Sequence, residues 1–412
     1  MLMRKINLFF TLLLFLVCNV HGQKGTFSFR IRAITAGITL KDLSDTESVN
    51  QAINFLQQAK KEFTDAGYEV QTIRIATSNL YTYLNRYSLN DALPLLKAFD
   101  NIALRNGVSA FSIGQVLSPQ SYHDGIGEWA ALLSKNTSTI SFNISISSHE
   151  QGIHLNSIKA AAEIITSLSN VDNGEANFRF TANANCPANI PFFPAAFHEG
   201  VNSFGIGLEM PNLLTDAFKN SDPSNAKQTL KTILEKNLKP VEQLAEKIST
   251  ATKWKYDGID ASPAPGLNAS IGQAIETYTK QPFGAPSTLG ACAMITDVLK
   301  SLDIKKCGYS GLMLPVIEDK VLAQRAAEQR YTMQELLLYS SVSGTGLDVV
   351  PIPGDTPKST IEGILTDVAA LSLKYTAKAL SARLFPIPGK KAGEKVTFDN
   401  PYLTGSIVMK ID

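Results

Sequence analysis

The sequence has almost nothing that marks a familiar cofactor or nucleophile. It carries no glycine-rich phosphate loop of the Walker or dinucleotide type, no Cys-x-x-Cys pair and no His-Glu-x-x-His helix. A Gly-x-Ser-x-Gly nucleophile elbow is missing as well. Cysteine is scarce, at 4 in 412 residues. Cys18 sits in an apolar N-terminal run, and Cys186, Cys292 and Cys307 follow, none at the spacing of a metal site. An odd number in an exported chain leaves a thiol unpaired, and these three read as small buried apolar residues. A chain of this length buries a core without disulfides.

An excess of charge is also lacking. Lys and Arg number 38 against 37 Asp and Glu. That balance excludes nucleic acid as a partner, because such binding rests on clustered Lys and Arg neutralising phosphates. It equally excludes a polybasic membrane-surface role. No low-complexity block or Pro/Gly/Ser linker divides the chain, so residues 26–412 read as one domain.

The N-terminus carries a targeting pattern. Arg4 and Lys5 precede an apolar run from Leu8 to Val17, with Val20 and Gly22 as small residues before a cut at Gln23. The run is shorter than the ~20 residues that cross a bilayer. Residues 1–22 are therefore expected to be a signal peptide, sending a periplasmic or secreted protein out of the cytoplasm with no membrane anchor left. Losing Arg4 and Lys5 leaves 36 basic residues against 37 acidic ones. Asn136, Asn143 and Asn268 begin glycosylation sequons, relevant only in a eukaryotic secretory route.

What is present is alternation. Strand-like stretches at Phe27–Thr39, Val70–Ile75, Thr139–Ser147, Asn177–Thr181, Phe204–Leu208 and Leu347–Ile352 alternate with helical periodicity. The helices are expected at Ser48–Ala66, Ser157–Leu168, Asn225–Thr252 (broken or kinked at Pro240), Ser270–Thr279 and Leu289–Leu302, with a last one capped by Thr356. Such alternation means an α/β fold with a largely parallel sheet covered by helices, and with sites gathered at strand ends.

Several polar groups fall at those ends. In Ser141-Phe142-Asn143-Ile144-Ser145-Ile146-Ser147 the polar residues share one face, which meets either water or an enclosed pocket. Asn183, Asn185 and Asn189 follow a strand, as structural turn residues or as amides aimed at a polar ligand. His198, among Phe192, Phe193 and Phe197, is a structural imidazole or an acid–base group. Asp260 and Ser262 lie where a strand opens into a proline-stiffened loop. His149 and His154 read as exposed or loop-fixing.

The order of certain strings then becomes informative. Arg32-Ala33-Ile34-Thr35-Ala36-Gly37-Ile38, Asn143-Ile144-Ser145, Ala195-Ala196-Phe197-His198 and Asp260-Ala261-Ser262-Pro263-Ala264-Pro265 are followed by Gly346-Leu347-Asp348, Ile352-Pro353-Gly354-Asp355-Thr356-Pro357 and Gly405-Ser406-Ile407-Val408-Met409-Lys410. Together they resemble the uncharacterised bacterial and archaeal family catalogued as domain of unknown function number 711, from about Arg30 to the C-terminus. The resemblance implies a ten-stranded α/β barrel with helices outside, like that of the pyruvate formate-lyase-type glycyl radical enzymes. It does not imply their chemistry, since Gly405 has no Arg-Val before it. Positions matching the family's recurrent polar residues are Arg74, Asn143, Asn183, Asn185, His198, Asp260, Ser262, Asp348, Lys378 and Arg383. If Ala377–Phe385 is one strand, Lys378 and Arg383 face opposite sides, which favours Arg383.

The expectation is a non-radical enzyme, of hydrolase or lyase type, acting on a small polar metabolite inside the barrel. His198 and Asp260 would be the acid–base pair, with Arg74 or Arg383 as an anion clamp and Asn143, Asn183, Asn185, Ser262 and Asp348 on the ligand. A binding protein without turnover is the alternative, and an apolar plug filling the interior would defeat both. No metal ligand set is visible, and the sequence names no cofactor or oligomeric state.

Overall fold

The computed structural model describes residues 28–219, 221–374 and 378–411. The predicted signal peptide lies outside the described residues. Among the described residues there are twelve strands: β1 Arg30–Ile38, β2 Val70–Thr77, β3 Val108–Gln115, β4 Ile140–Ser148, β5 Gly152–Ile153, β6 Phe180–Ala184, β7 Ser203–Glu209, β8 Lys255–Ala264, β9 Gly346–Pro353, β10 Leu380–Ile387, β11 Lys395–Val396 and β12 Ser406–Ile407. The first ten form one sheet in the order β8-β7-β1-β2-β3-β4-β6-β10-β9, with β5 paired to β4 at the side.

The sheet is mostly parallel, as the alternation predicts. β1, β2, β3, β4 and β6 run one way as parallel neighbours. β7 and β8 are parallel to each other, as are β9 and β10. The two directions meet antiparallel at β1 with β7 and at β6 with β10. Beyond the strands, Lys306 bridges to Ile259 of β8 and Pro315 bridges to Asp348 of β9.

Helices cover the outside of the sheet because one stripe of each is apolar. The helix Thr46–Asp65 buries Val49, Ile53, Leu56 and Phe63, spaced for one face. The helix Leu155–Leu168 does the same with Ile158, Ile165 and Leu168. The first packs on β1 and β2 and the second on β4, whose outward residues Phe142, Ile144 and Ile146 are all fully buried. Among the described residues no helix is long and apolar enough to cross a membrane.

Three local expectations need correction. The helix Ala226–Thr252 runs unbroken through Pro240, whose exposed position leaves the carbonyl it orphans facing water. Thr356 does not cap the following helix: its hydroxyl donates to the Pro353 carbonyl, and Lys358–Leu373 starts after Pro357 with no side-chain cap. Residues 177–179 belong to an irregular 3-10 stretch, so β6 begins at Phe180 and Asn183 lies on the strand. Sequence periodicity also misses β3, whose short run Val108-Ser109-Ala110-Phe111-Ser112-Ile113-Gly114-Gln115 is too mixed to read as a strand.

Candidate functional site

One segment organises the inner face of the sheet. Residues 185–202 connect β6 to β7, the point where the strand direction reverses, and pass across that face. Side chains from four strands hold its carbonyls. Thr35 Oγ1 donates to Pro191 O at 3.0 Å, and Ser112 Oγ donates to Ala196 O at 2.6 Å. Asn143 Nδ2 donates to Pro194 O at 2.9 Å, and Asn183 Nδ2 donates to Ala195 O at 3.0 Å. Both asparagines are almost fully buried, which the segment's unpaired backbone requires.

His198 anchors the far end of this segment. Its backbone N–H donates to Thr77 O, its Nδ1 lies 2.8 Å from Asn189 Oδ1, and its Nε2 lies 3.2 Å from Gly200 O. The ring packs on Gly37, where an added Cβ would sit 2.3 Å from Nδ1. Burial lowers the His198 pKa from its ordinary value, against the pull of its hydrogen bond to Gly200. A depressed folded-state pKa means stability is complete above about pH 6.5 and falls as the unfolded chain takes up a proton first. Denaturation midpoints are expected to drop between pH 7 and 5 more for the wild type than for His198→Asn. Parallel pH profiles would remove His198 as a contributor.

Asp260 organises a second loop. Fully buried, it accepts from Ser262 N and Oγ, Tyr309 N (2.9 Å) and Ser310 N (2.8 Å). Gly308, at φ +61°, leaves room that a Cβ would take 2.0 Å from Asp260 Oδ2. Burial pushes the Asp260 carboxyl up, and its four donors oppose the rise. His198 and Asp260 therefore belong to separate hydrogen-bond networks.

The polar face of β4 is divided among three levels. Ser141 borders a cavity of about 770 Å³, Asn143 grips the crossing segment, and Ser145 borders a cavity of about 600 Å³ on the other side. The larger cavity lies at the starts of β1 to β4 and the ends of β8 and β10. Its wall brings together Arg74, Arg383, Arg32, Glu318, Ser141 and Tyr402. Of the residues expected to meet a ligand, only Arg74 and Arg383 line it. Asp348 stands directly behind Arg383, and Asn185 borders the smaller cavity.

The electrostatics of the larger cavity are unequal. Arg383 donates Nε to Asp348 Oδ1 and Nη2 to Glu318 Oε1, both at 2.6 Å. Arg32 reaches Glu318 at 3.4 Å and Glu209 at 3.6 Å. Burial raises the Asp348 carboxyl, which Arg383 opposes and the Glu318 charge reinforces. Arg74 differs: its Nε donates to Thr72 Oγ1 at 3.1 Å, and among the described residues no carboxylate lies within ion-pair distance. Burial, then the charge of Arg32, lowers Arg74 to about 10, so it stays cationic at neutral pH. The Oγ of Ser141 on the same wall has no hydrogen-bond partner.

Each guanidinium also rests on a ring: Arg32 over Tyr402 at 5.2 Å, Arg74 over Phe193 at 5.4 Å and Arg383 over Phe178 at 5.3 Å. Stacking of this kind fixes the planar fork while leaving its edge for an anion. Among the described residues no group of three His, Cys, Asp or Glu is placed to hold a metal.

Glu318, Arg32 and Tyr402 escape sequence reasoning as site residues. Glu318 lies in Pro315-Val316-Ile317-Glu318-Asp319, a stretch with no helical or strand period, and only the fold carries it to the arginines. Ser141 was signalled by the alternation of β4, but its partner across the cavity was not.

A family model described as Uncharacterised ACR (DUF711) matches residues 26–400. A UPF0210 protein of Pyrobaculum aerophilum is 30% identical over 351 residues, covering 80% of this chain and 76% of the relative. A UPF0210 protein of Bifidobacterium longum is 26% identical over 414 residues, covering 89% and 88%. Another, of Pyrobaculum islandicum, is 27% identical over 397 residues, covering 91% and 86%.

Proposed function

The chain belongs to this DUF711 family of uncharacterised proteins, and on that premise we propose that it is a non-radical enzyme of hydrolase or lyase type acting on a small anionic metabolite in the larger cavity. The observation that carries the reading is Arg74, a stacked guanidinium on a cavity wall with no carboxylate of its own. A charged donor fork held open in a partly dry site is a receptor for carboxylate or phosphate oxygens. Ser141 Oγ supplies a further donor beside it.

The surrounding groups then take distinct roles. Glu318 faces the cavity and is the carboxylate that moves a proton, with Arg32 and Arg383 fixing its position. Asp348 orients Arg383 from behind. His198 and Asp260 are positioning residues, one for the crossing segment and one for the 308–311 loop, rather than the reacting pair. Asn143, Asn183 and Ser262 serve the same two loops. The barrel form belongs to this reading as well, a ring of the pyruvate formate-lyase-like kind closed through residues 306–315; the bridges of Lys306 to Ile259 in β8 and of Pro315 to Asp348 in β9 support it. Export through the N-terminal segment is likewise retained, which brings the site to metabolites outside the cytoplasm.

Binding without turnover is the second reading. It is favoured by one feature: Glu318 already accepts from two arginines, one on each carboxylate oxygen, which leaves less of it free for a substrate proton. The test incubates the purified protein with a mixture of small carboxylates and phosphate esters, followed by mass spectrometry and thermal shift. Product formation that Glu318→Gln abolishes, with ligand stabilisation kept, is the expected result. Stabilisation without product establishes the binding reading, and no stabilisation by any anion overturns both.

A further inference from the structure

The opposite mouth of the sheet carries charge that the first cavity does not explain. A cavity of about 290 Å³ is lined there by Thr296, Lys300, Ser341, Ser343, Gly344 and Lys378, among others. Thr296 and Lys300 stand four apart on the helix Thr288–Ser301, so hydroxyl and ammonium emerge on the same side. Thr296 is 8% exposed, and its Oγ1 has no hydrogen-bond partner. Lys300 reaches in from the solvent side and donates to the Tyr309 carbonyl at 2.6 Å. Lys378, from the other wall, donates to Ser343 O at 2.7 Å and Ser341 O at 3.1 Å.

Burial, then the charge of Lys300, lowers Lys378 to about 8, while burial also lowers Lys300 and the Asp260 charge opposes it. Two ammonium groups and a buried, unpartnered hydroxyl on the wall of one cavity form the kind of donor set that an anion takes. We infer that this cavity is a second binding site, specific for the phosphate group of a small phosphate monoester.

A phosphate dianion matches the wall better than a carboxylate does. Its doubly charged tetrahedron offers oxygens in three directions, one for each ammonium and one for the Thr296 hydroxyl, and lysine serves phosphate as a point charge. The body of the ester has a place as well. The 600 Å³ cavity shares Lys300 and Ala379 with the phosphate cavity, and its wall carries Gln115, Ser145 and Asn185 together with Glu150 and Glu199, acceptors for the hydroxyls of the ester body rather than for its phosphate. Gln115 is 7% exposed and its Oε1 is unpartnered, as expected of a group kept for a hydroxyl. A hydroxylated monoester fits both halves. The site is independent of Arg74, because the 185–202 segment lies between the two cavities.

The experiment is isothermal titration of the full chain carrying Arg74→Ala, which removes the first cavity's anion ligand. Inorganic phosphate and glycerol 3-phosphate are the probes. Phosphate is expected to bind with millimolar affinity, weakened at least tenfold by Lys300→Met or Lys378→Met. Thr296→Val, nearly isosteric and safe for the fold, should weaken it about threefold. Glycerol 3-phosphate should bind more tightly than phosphate, and Gln115→Ala should erase that gain. No phosphate binding, or binding indifferent to all three cavity variants, overturns the site. Equal affinity for both probes overturns the monoester assignment and leaves free phosphate as the ligand. A lost second site with anion binding intact in the unmodified chain leaves the Arg74 reading standing.

Discussion

Arg74→Ala is expected to weaken anion binding at the larger cavity by about 30- to 150-fold, the equivalent of about 2–3 kcal/mol for a charge-assisted hydrogen bond. The argument is one of compensation. Arg32 and Arg383 already spend their donors on Glu209, Glu318 and Asp348. Arg74 spends only Nε, on Thr72. Its removal takes away one hydrogen bond to Thr72 and the stacking on Phe193, but also a buried cation with no carboxylate at ion-pair distance, so the denaturation midpoint should change little. Arg74→Lys keeps the charge but loses the fork and the stacking on Phe193, and should fall between the two. Titration with succinate, paired with urea denaturation, separates the effects. A variant that binds as tightly as the wild type removes Arg74 from the site.

Arg383→Met should be the most damaging single change in the cavity wall, lowering stability by about 3–5 kcal/mol. Arg383 stands between Glu318 and Asp348, touching each at 2.6 Å. Without it two buried carboxylates confront each other with no charge between them except the more distant Arg32. The pH dependence distinguishes this from lost packing. In the variant the Asp348 carboxyl, already raised by burial and by the Glu318 charge, loses the cation that opposes the rise. The penalty is then complete at neutral pH and shrinks as pH falls through the raised folded-state value of Asp348. The deficit should therefore be smaller at pH 5 than at pH 7.5. Asp348→Asn on the same background should recover part of it. A deficit independent of pH would mean that shape rather than charge holds this wall together.

The sequence carries the architecture better than the site. Strand and helix alternation is visible because apolar residues recur every second position in β4 and every third or fourth in Thr46–Asp65, and those periods survive in the fold. It fails where a segment has no period, as in β3 and the stretch around Glu318. The site is legible only by residue type. His198, Asp260, Asn143 and Asn183 stand out in the sequence because they are polar amid apolar neighbours. That same contrast belongs to side chains that hold buried loop carbonyls, and these four do so or cap loop amides. What separates a gripping amide from an open guanidinium is whether its partners are already present. That is a property of contacts across β2, β4, β10 and the 313–318 stretch, which no spacing in the chain encodes.

The two antiparallel seams have a consequence for how the polypeptide reaches its native state. Arg30 waits for Glu209, and Ala184 waits for Leu380, before either border of the first five strands is closed. Pairings so distant along the chain delay folding, because loop closure must precede any reward. A half-finished molecule would thus display two raw β-edges. Such an intermediate is the species most prone to self-association during refolding, and slow dilution or a chaperone holding those edges should decide the yield.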